Sequence, residues 1–326
     1  MTKIKKIAVF TSGGDAPGMN AAIRAVVRAA IYNKLEVVGI YRGYQGMIEG
    51  DFIELKSTNV GGIIQKGGTI LLSARSEEFR TKEGREKAYN QLINHGINAV
   101  VAIGGDGTFT GARIFTDEYD IPFIGIPGTI DNDLYGTDST IGYDTALNTV
   151  IEAVDKIRDT ACAHQRLFFI EVMGRDAGFL ALRSAIATGA EAVLIPEVDL
   201  KPKDLKQHIE QGRTRNTGGN IVIVAEGDKY GGAFEVAEKV KDDFKNYSIR
   251  ISVLGHIQRG GSPTCYDRVL ASRLGVAAVD AILDDQQSIM VGLMNNDIVH
   301  VPFNKTIKNK KKIKPQLYDL VDILSI

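Results

Sequence analysis

Cysteine, tryptophan and long apolar runs are scarce or absent in this sequence. The two cysteines, Cys162 and Cys265, form no CxxC pair and no Cys/His cluster at zinc spacing, which excludes a disulfide scaffold and a structural zinc site. No apolar stretch approaches the roughly 18 residues of a membrane span, and the first apolar run ends at Phe10, too early for a signal peptide. With 39 Lys and Arg against 40 Asp and Glu, the charge balance gives no case for nucleic-acid binding. We expect a cytoplasmic globular protein with no membrane or nucleic-acid partner.

Glycine is in excess, at 35 of 326 residues, and several Gly-Gly pairs directly follow short runs rich in Val and Ile. These runs do not alternate between polar and apolar residues, which is typical of strands covered on both faces of a parallel sheet. They predict eight strands, at Ile7–Phe10, Val37–Tyr41, Ala99–Ile103, Phe123–Ile126, Leu167–Val172, Ala192–Ile195, Ile221–Ala225 and Ile249–Leu254. Amphipathic helices are predicted over Asn20–Tyr32 and Asp144–Arg158. The alternation predicts an α/β protein, of a length that suits two domains, with its sites at the carboxyl ends of strands.

The first motif, TSGGDAPGMNAAIR at 11–24, joins a predicted strand to a predicted helix. Gly13 and Gly14 allow main-chain N–H groups to face an anion, and the N-terminus of the next helix adds partial positive charge. An ordinary turn, with Asp15 and Pro17 as helix-start signals, explains the same residues equally well. No Walker A pattern occurs in the chain.

The second motif, IGGDGT at 103–108, has the same strand–loop–helix context. The Asp106 carboxylate, held among glycines, suits a Mg²⁺ ion that carries nucleotide phosphates, and Gly107 and Thr108 would open the next helix toward those phosphates. GGDGT also occurs in NAD kinases and diacylglycerol kinases. By itself it indicates only a nucleotide-phosphate site.

The third motif is PGTIDND at 127–133, a polar loop after a strand. A carboxylate at Asp131 or Asp133, beside Thr129, could take a proton from an attacking hydroxyl group, as phosphoryl transfer to an alcohol requires. The alternative is a pair of aspartates that cap the loop.

Five arginines are predicted to lie in loops between strands and helices, where they could bind phosphate in bidentate fashion: Arg75, Arg166, Arg175, Arg250 and Arg259. A surface salt bridge explains any one of them alone. The six lysines in Lys305–Lys314 favour a solvated tail or a subunit edge over an anion site. No histidine pair has metal-ligand spacing, which disfavours a metallohydrolase.

Taken together, the motifs resemble those of bacterial ATP-dependent 6-phosphofructokinases. The matching strings are TSGGDAPGMNAAIR, SAR, IGGDGT, PGTIDND, TIG, RDT, HQR, EVMGR, PEV and VLGHIQRGGSP, followed by YDR and LASR, in the family's order. They cover the chain up to about Val291. The resemblance implies two similar three-layer α/β/α domains with mostly parallel sheets. It places ATP and Mg²⁺ in residues 1–142 plus about 258–308, and the sugar phosphate in about 143–257 plus 309–326.

The resemblance also implies the reaction, the transfer of a phosphoryl group from ATP to the 1-hydroxyl of fructose 6-phosphate, giving fructose 1,6-bisphosphate and ADP. Asp131 resembles the general base, with Thr129 and Arg175 as further catalytic residues and Asp106 as the carboxylate linked to Mg²⁺. The residues that match ATP-binding positions are Gly14, Arg75, Ser76, Gly105, Asp106, Gly107 and Thr108. Those that match substrate-binding positions are Thr129, Ile130, Asp131, Met173, Gly174, Arg175, Glu226, His256, Ile257, Gln258 and Arg259, with Arg166 and Arg250 reaching in from a neighbouring subunit of a homotetramer.

Two glycines distinguish between phosphoryl donors. Pyrophosphate-dependent relatives typically carry Asp where this chain has Gly107 and Lys where it has Gly128, and a side chain at either place would enter the space of the nucleotide α-phosphate or supply charge that ATP does not need. Glycine at both positions favours ATP. The alternatives are a pyrophosphate-dependent phosphofructokinase, a non-catalytic regulatory subunit that binds the same ligands, and a lipid or NAD kinase that shares GGDGT.

Bacterial members of the family also have an effector site for ADP or phosphoenolpyruvate at a subunit interface. The residues that match it are Arg24, Ala25, Val26, Val27, Arg28, Arg158, Gly189, Ala190, Glu191, Arg215, Thr217, Gly218 and Gly219, with Glu191 as a ligand for an effector-site Mg²⁺. Ser57 stands where an Arg is usual, and Thr217–Gly219 replace a basic run. We therefore expect a weakened effector response.

Overall fold

The fold consists of two compact units. A computed structural model describes residues 4–163, 166–206, 209 and 220–324, with the side chains of 162 and 163 left aside. Unit 1 comprises Met1–Thr129, Leu134–Thr145 and Arg259–Lys311, and unit 2 comprises Ile130–Asp133, Ala146–Gln258 and Lys312–Ile326. The assignment of ATP to one domain and of sugar phosphate to the other stays a prediction.

Eleven strands lie in the described part of the chain. They are β1 (Lys6–Thr11), β2 (Glu36–Ile40), β3 (Phe52–Glu54), β4 (Ala99–Gly104), β5 (Phe123–Pro127), β6 (Arg166–Val172), β7 (Ala192–Leu194), β8 (Asn220–Ala225), β9 (Ser248–Val253), β10 (Ile289–Met294) and β11 (Asp297–Pro302). All eight predicted strands are present. The prediction missed β3, β10 and β11.

The helices in the same residues are α1 (Met19–Tyr32), α2 (Gly43–Glu49), α3 (Lys82–Asn94), α4 (Asp106–Tyr119), α5 (Tyr143–Ala163), α6 (Phe179–Thr188), α7 (Ala233–Val240), α8 (Cys265–Leu283), α9 (Phe303–Lys308) and α10 (Pro315–Leu324). Short 3₁₀ turns occur at Glu78–Arg80, Pro202–Asp204 and Gly255–Arg259. The two predicted helices correspond to α1 and to most of α5. No helix in the described ranges is both long and apolar enough to span a bilayer. A cytoplasmic location stays a prediction.

Unit 1 contains a seven-stranded sheet in the order β11-β10-β5-β4-β1-β2-β3. The five inner strands are parallel, and the two edge strands β3 and β11 run antiparallel to their neighbours. Helices α1 and α8 pack so closely that a Cβ atom on Gly275 would lie 2.5 Å from the Ala25 Cβ atom. The apolar cluster of this unit includes Phe10, Phe115 and Phe123, all fully buried.

Unit 2 contains a four-stranded, fully parallel sheet in the order β7-β8-β6-β9. Its apolar cluster includes Phe169 of β6, Val222 of β8 and Val236 of α7. The prediction of an α/β fold with mostly parallel sheets is confirmed. Most of the unalternating Val and Ile runs form inner strands, whose two faces are covered, whereas β7 and β9 lie at the edges of the unit 2 sheet.

The lysine-rich segment near the carboxyl terminus begins within α9. Lys308, Lys310, Lys312 and Lys314 are exposed, as a solvated segment would be. The Lys311 side chain instead donates a hydrogen bond from Nζ to the Asp138 carbonyl oxygen, at 2.8 Å.

Candidate active site

Three glycine-containing loops meet at one edge of the unit 1 sheet, because β1, β4 and β5 are adjacent and parallel. Main-chain hydrogen bonds between the loops continue the strand pairing beyond the ends of the strands. The Ser12 N–H donates to the Ile103 carbonyl, and the Gly128 N–H donates to the Gly104 carbonyl, each at 3.0 Å. The first two loops run into the N-termini of α1 and α4, where unsatisfied N–H groups attract anions.

The backbone around the start of α4 is crowded at Gly104 and open at Gly107. A Cβ atom on Gly104 would stand 2.4 Å from Thr108 Oγ1 and 2.6 Å from the Ser12 carbonyl oxygen, whereas one on Gly107 would have no heavy atom within 4 Å. Asp106, the first residue of α4, is exposed. A single exposed carboxylate at a helix start fits an ion such as Mg²⁺ that is bound mainly by nucleotide phosphates. No group of three or more His, Cys, Asp or Glu side chains in the described residues forms a separate metal cage.

Gly128 lies in a different environment from Gly107. A Cβ atom on Gly128 would lie 3.0 Å from Ile103 Cγ2 and 3.1 Å from Met19 Cε. The α-carbon of Gly128 therefore faces packed apolar side chains, whereas that of Gly107 faces open space.

The segment that contains Arg75 and Ser76 is attached to the same unit through α2. The Ser76 hydroxyl donates to Gln45 Oε1 at 2.8 Å and accepts from the Phe79 N–H at 3.2 Å, so it is already used within the protein. Tyr44, the residue before Gln45 in α2, stacks on Phe79 with ring centroids 3.9 Å apart. Arg75 is exposed.

Tyr44 also supports the start of α4, and sequence reasoning missed it. Its buried hydroxyl donates to the Thr108 carbonyl oxygen at 2.5 Å, and burial raises the pKa of this phenol well above its ordinary value. Its ring fills the space that a Cβ atom on Gly111 would need. The signal in the sequence was a lone aromatic residue between glycines in RGYQG, which carries no chemistry of its own.

The third loop contains the candidate base. Thr129 is half-buried and its carbonyl oxygen accepts from the Thr140 hydroxyl at 2.6 Å. Ile130 is fully buried, so its side chain cannot contact a sugar, and only its main chain remains for the predicted binding role. Asp131 is 8% exposed. Asn132 follows in the left-handed region at φ 53°, which turns the chain sharply after the carboxylate.

In unit 2, the predicted sugar-phosphate residues Met173, Gly174 and Arg175 follow β6, and Glu226 follows β8. Arg175 has a φ of 55°, its N–H donates to Glu226 Oε1 at 2.7 Å, and its side chain is exposed. The 3₁₀ turn after β9 has His256 and Ile257 exposed. Its Gln258 is fully buried, and both ends of the Gln258 amide bond main-chain groups. The Gln258 side chain is thus used within the protein, and a substrate-binding role for this residue stays a prediction.

Arg166 and Arg250 do not lie in loops at the carboxyl ends of strands, contrary to the sequence interpretation. Arg166 is the first residue of β6, and Arg250 lies within β9 opposite Phe168. Leu167 belongs to the apolar cluster and Ile249 packs against it, so both arginines lie on the opposite face of the sheet, as diagonal neighbours near its amino end. Arg259 lies in unit 1, where its Nη1 atom donates to the Asp15 carbonyl oxygen at 3.3 Å.

Part of the predicted effector site is assembled within unit 2. Arg158 Nη2 donates to the Thr188 and Gly189 carbonyl oxygens at 2.7 and 3.0 Å, and Arg158 Nη1 lies 3.8 Å from Glu191 Oε1. Glu191 Oε2 accepts from the Ile221 N–H at 2.6 Å, and burial raises the pKa of the Glu191 carboxyl. Ala190 is buried.

The α1 part of the predicted effector site lies in unit 1. Arg24 is half-buried and Arg28 is exposed. The side chains of Ala25, Val26 and Val27 are buried, so only their main chain could reach an effector, and their predicted role stays a prediction. They fill the face of α1 that packs into the unit. Arg215, Thr217, Gly218 and Gly219 lie outside the described residues.

The family model described as Phosphofructokinase matches residues 6–282. The chain belongs to the phosphofructokinase family. The ATP-dependent 6-phosphofructokinase 2 of Bacteroides thetaiotaomicron is 60% identical over 326 residues, all of both chains. The ATP-dependent 6-phosphofructokinase of Cytophaga hutchinsonii is 55% identical, over 99% of this chain and 98% of that one.

Solved phosphofructokinases share the fold. The Saccharomyces cerevisiae enzyme matches with a TM-score of 0.90 and 38% identity over 99% of this chain, and the T-state Pichia pastoris enzyme with 0.88 and 40% over 94%. This chain spans 48% and 36% of those longer chains. A pyrophosphate-dependent phosphofructokinase from Marinobacter aquaeolei, 22% identical with a TM-score of 0.84, shares the fold alone.

Proposed function

We propose that this phosphofructokinase transfers the γ-phosphoryl group of ATP to the 1-hydroxyl of fructose 6-phosphate. The observation that carries the proposal is its 60% identity, over the full length of both chains, to a relative named ATP-dependent 6-phosphofructokinase 2. Asp106, Asp131 and Arg175 are all present, which disfavours a non-catalytic regulatory subunit.

In the proposed reaction, Asp131 accepts the proton of the sugar 1-hydroxyl while the hydroxyl oxygen attacks the γ-phosphorus. The bond between the γ-phosphorus and the β,γ-bridging oxygen breaks, and ADP leaves. Thr129, two residues before Asp131, and the exposed guanidinium of Arg175 would stabilise the transferring group. Phosphoryl transfer depends on positioning and on charge neutralisation more than on covalent help.

The nucleotide phosphates would lie at the start of α4. Main-chain N–H groups and the helix dipole there favour negative charge, and the open side of Gly107 leaves space for it. Asp106 would hold the Mg²⁺ ion, which neutralises charge on the transferring phosphates. The same open space supports ATP as the donor, because an Asp side chain at position 107 would occupy it.

The length of β6 in unit 2 supports a homotetramer in which neighbouring subunits share active sites. Arg166 begins β6, and Met173 follows its last residue, so seven residue steps of roughly 3.3 Å separate their α-carbons by about 23 Å. One sugar phosphate cannot contact both ends of the strand. Arg166 and Arg250 would therefore bind the 6-phosphate held by a neighbouring subunit. Mixed tetramers of inactive Arg250→Ala and Asp131→Asn chains should regain partial activity, and no recovery would contradict shared sites.

We also propose an effector anion site for ADP or phosphoenolpyruvate at a subunit interface, to which Arg24, Arg28 and Arg158 would contribute. Arg158 and Glu191 are already bound to main-chain groups, and Ser57 supplies no charge, so coupling to the active site should be weak. Allosteric coupling usually amounts to about 1–3 kcal/mol. Fructose 6-phosphate saturation curves with and without each effector, repeated for Arg24→Ala/Arg28→Ala, test this. A large shift that survives the double substitution would place regulation elsewhere.

The reaction itself is tested by product identity. Purified protein with Mg²⁺, ATP and fructose 6-phosphate should form ADP and fructose 1,6-bisphosphate in equal amounts, detected through aldolase-coupled NADH oxidation. Formation of ADP without a bisphosphate, or no turnover at all, would overturn the proposal.

A further inference from the structure

The Gln258 side chain is completely buried, and both the oxygen and the nitrogen of its amide form hydrogen bonds. Gln258 is the fourth residue of the 3₁₀ turn Gly255–Arg259, and its exposed fraction is 0%. Its Oε1 atom accepts from the Met173 N–H at 3.2 Å, and its Nε2 atom donates to the Gly255 carbonyl oxygen at 2.9 Å. The side chain therefore connects the loop after β6 with the turn after β9. Met173, Gly255 and Gln258, the residues joined by these bonds, all belong to unit 2.

The connection begins where the strand ladder stops. The pairing of β6 with β9 ends at Glu171 and Val253, followed by one bond from the Leu254 N–H to the Glu171 carbonyl at 3.1 Å. Beyond that point the two chains turn apart, one into Met173 and one into the turn. The Gln258 amide continues the attachment by replacing the next main-chain contact.

The same loop is attached on its other flank to the end of β8. The Glu226 N–H donates to the Val172 carbonyl at 2.9 Å, and Glu226 Oε1 accepts from the Arg175 N–H at 2.7 Å. A Cβ atom on Gly227 would stand 1.8 Å from the Arg175 carbonyl oxygen, so the backbones approach closely. The loop 173–175 is thus held at Met173 by one neighbour and at Arg175 by the other.

We propose that Gln258 is a positioning residue for the sugar phosphate. It does not touch the ligand, but it fixes Met173 relative to the turn that presents His256, so that both loops reach one ligand in a set geometry. The inference rests on the proposed function, since it takes fructose 6-phosphate as the ligand of this edge. A buried apolar side chain would fill the same space. The Gln258 amide satisfies both an N–H on one loop and a carbonyl on the other, which an apolar side chain cannot do.

The test is a Gln258→Met variant, which keeps the length of the side chain and loses both hydrogen bonds. Because placement errors of about 1 Å can cost up to 10²-fold, the KM for fructose 6-phosphate should rise about tenfold or more, with the KM for ATP unchanged. The kcat at saturating sugar phosphate should change little, since the lost geometry weakens binding throughout the reaction. Calorimetric titration of fructose 6-phosphate without ATP should show the same loss of affinity.

Two further variants separate positioning from stability. Ser184→Ala removes a buried hydroxyl that donates to main-chain oxygens of α6 at 2.7 and 3.0 Å, in the same unit, and both KM values should stay at wild type. Gln258→Glu keeps an acceptor for the Met173 N–H and, when ionised, loses the donor to Gly255. Its KM for fructose 6-phosphate should lie between those of wild type and the Met variant.

The outcomes are distinct. A wild type that phosphorylates fructose 6-phosphate beside a Gln258→Met variant with unchanged KM would overturn this inference alone. Equal losses in kcat and in both affinities, or two Gln258 variants that fail to fold, would make the residue purely structural and also overturn it. A wild type inert toward fructose 6-phosphate would remove the proposed function, and the inference with it.

Discussion

The guanidinium of Arg259 lies against the main chain of Gly14, at the point where a Cβ atom would stand 2.4 Å from Nη1 and 2.9 Å from Cζ. Gly14 belongs to the first glycine loop, and Arg259 closes the 3₁₀ turn before α8. The absence of a side chain at position 14 therefore allows the arginine to rest there and to bond the Asp15 carbonyl.

Gly14→Ala should displace the Arg259 side chain with little loss of stability, because the clashing atoms are the far end of a flexible chain. If Arg259 binds the sugar phosphate, the KM for fructose 6-phosphate should rise by roughly tenfold, the equivalent of about 1.4 kcal/mol. The double variant Gly14→Ala/Arg259→Ala should be no worse than Arg259→Ala alone. Additive losses would show that Gly14 acts independently of the arginine.

Asp131→Asn should lower kcat by about 10²–10⁴-fold and leave the KM for fructose 6-phosphate nearly unchanged, since the amide cannot accept the hydroxyl proton. Asp133→Asn makes the same charge change two residues further along the same loop. Steady-state kinetics of both variants should show a far smaller loss for Asp133. Turnover close to wild type in Asp131→Asn would exclude it as the base.

Gly107→Asp should fold as well as the wild type but bind ATP poorly. A Cβ atom there would have no heavy atom of the surrounding protein within 4 Å, and an acidic residue in the first turn of α4 interacts favourably with the helix dipole. Repulsion between its charge and the phosphates should raise the KM for ATP at least about tenfold. Gly128→Lys should instead lower the melting temperature, because Ile103 and Met19 crowd the position. Thermal melts and ATP titrations of both variants check this contrast.

Asp267 of α8 is a second buried group that supports the loops of unit 1. Its carboxylate accepts from the Gly142 N–H at 2.9 Å and from the Thr145 N–H and hydroxyl at 2.8 and 2.5 Å, so it caps the start of α5. In return, the Thr264 hydroxyl at the start of α8 donates to Asp144 Oδ2 at 2.6 Å. Burial raises the pKa of Asp267 to about 6, although the Thr145 and Gly142 bonds act in the opposite direction.

This raised pKa predicts the pH dependence of folding stability. The folded protein holds a proton on Asp267 more tightly than the unfolded chain, whose carboxyl has a pKa near 3.8. The stabilisation from protonation is complete below pH 3.8 and is lost as the pH rises through about 6. It amounts to about 3 kcal/mol at roughly 1.4 kcal/mol per pKa unit.

The free energy of unfolding of wild type minus that of Asp267→Asn should therefore fall between pH 4 and pH 7. Urea unfolding of both proteins at several pH values measures this difference. An increase in this difference over the same interval would mean that the three hydrogen-bond donors, and not burial, determine the direction in which the pKa of Asp267 is shifted.

Much of the fold was predictable because most inner strands are continuous apolar runs, such as Ala99–Gly104. The β10–β11 hairpin was missed although it has a local signal. Asn295 and Asn296 turn the chain with φ values of 49° and 70°, as a two-residue hairpin requires. A search for continuous apolar runs misses both strands, because Gly292 interrupts the run in β10 and the residues of β11 are a mixture of polar and apolar.

The candidate site was predictable where a motif carries its own chemistry, as Asp106 and Asp131 do. The residues that hold those motifs in place were not. Gln258 and Asp267 act through partners 85 and 122 positions away in sequence, and no spacing shows which main-chain group a side chain will meet. Arg166 was misplaced because a strand search does not fix which residue begins a strand. Arg250 was assigned to a loop although it lies within the predicted strand Ile249–Leu254.

The most direct test of the account is the kcat/KM of the purified wild type for ATP and for pyrophosphate, each with saturating fructose 6-phosphate and Mg²⁺. The account predicts turnover with ATP that stops on chelation of the metal, and negligible turnover with pyrophosphate. A ratio in favour of pyrophosphate, or no turnover with either donor, would contradict it.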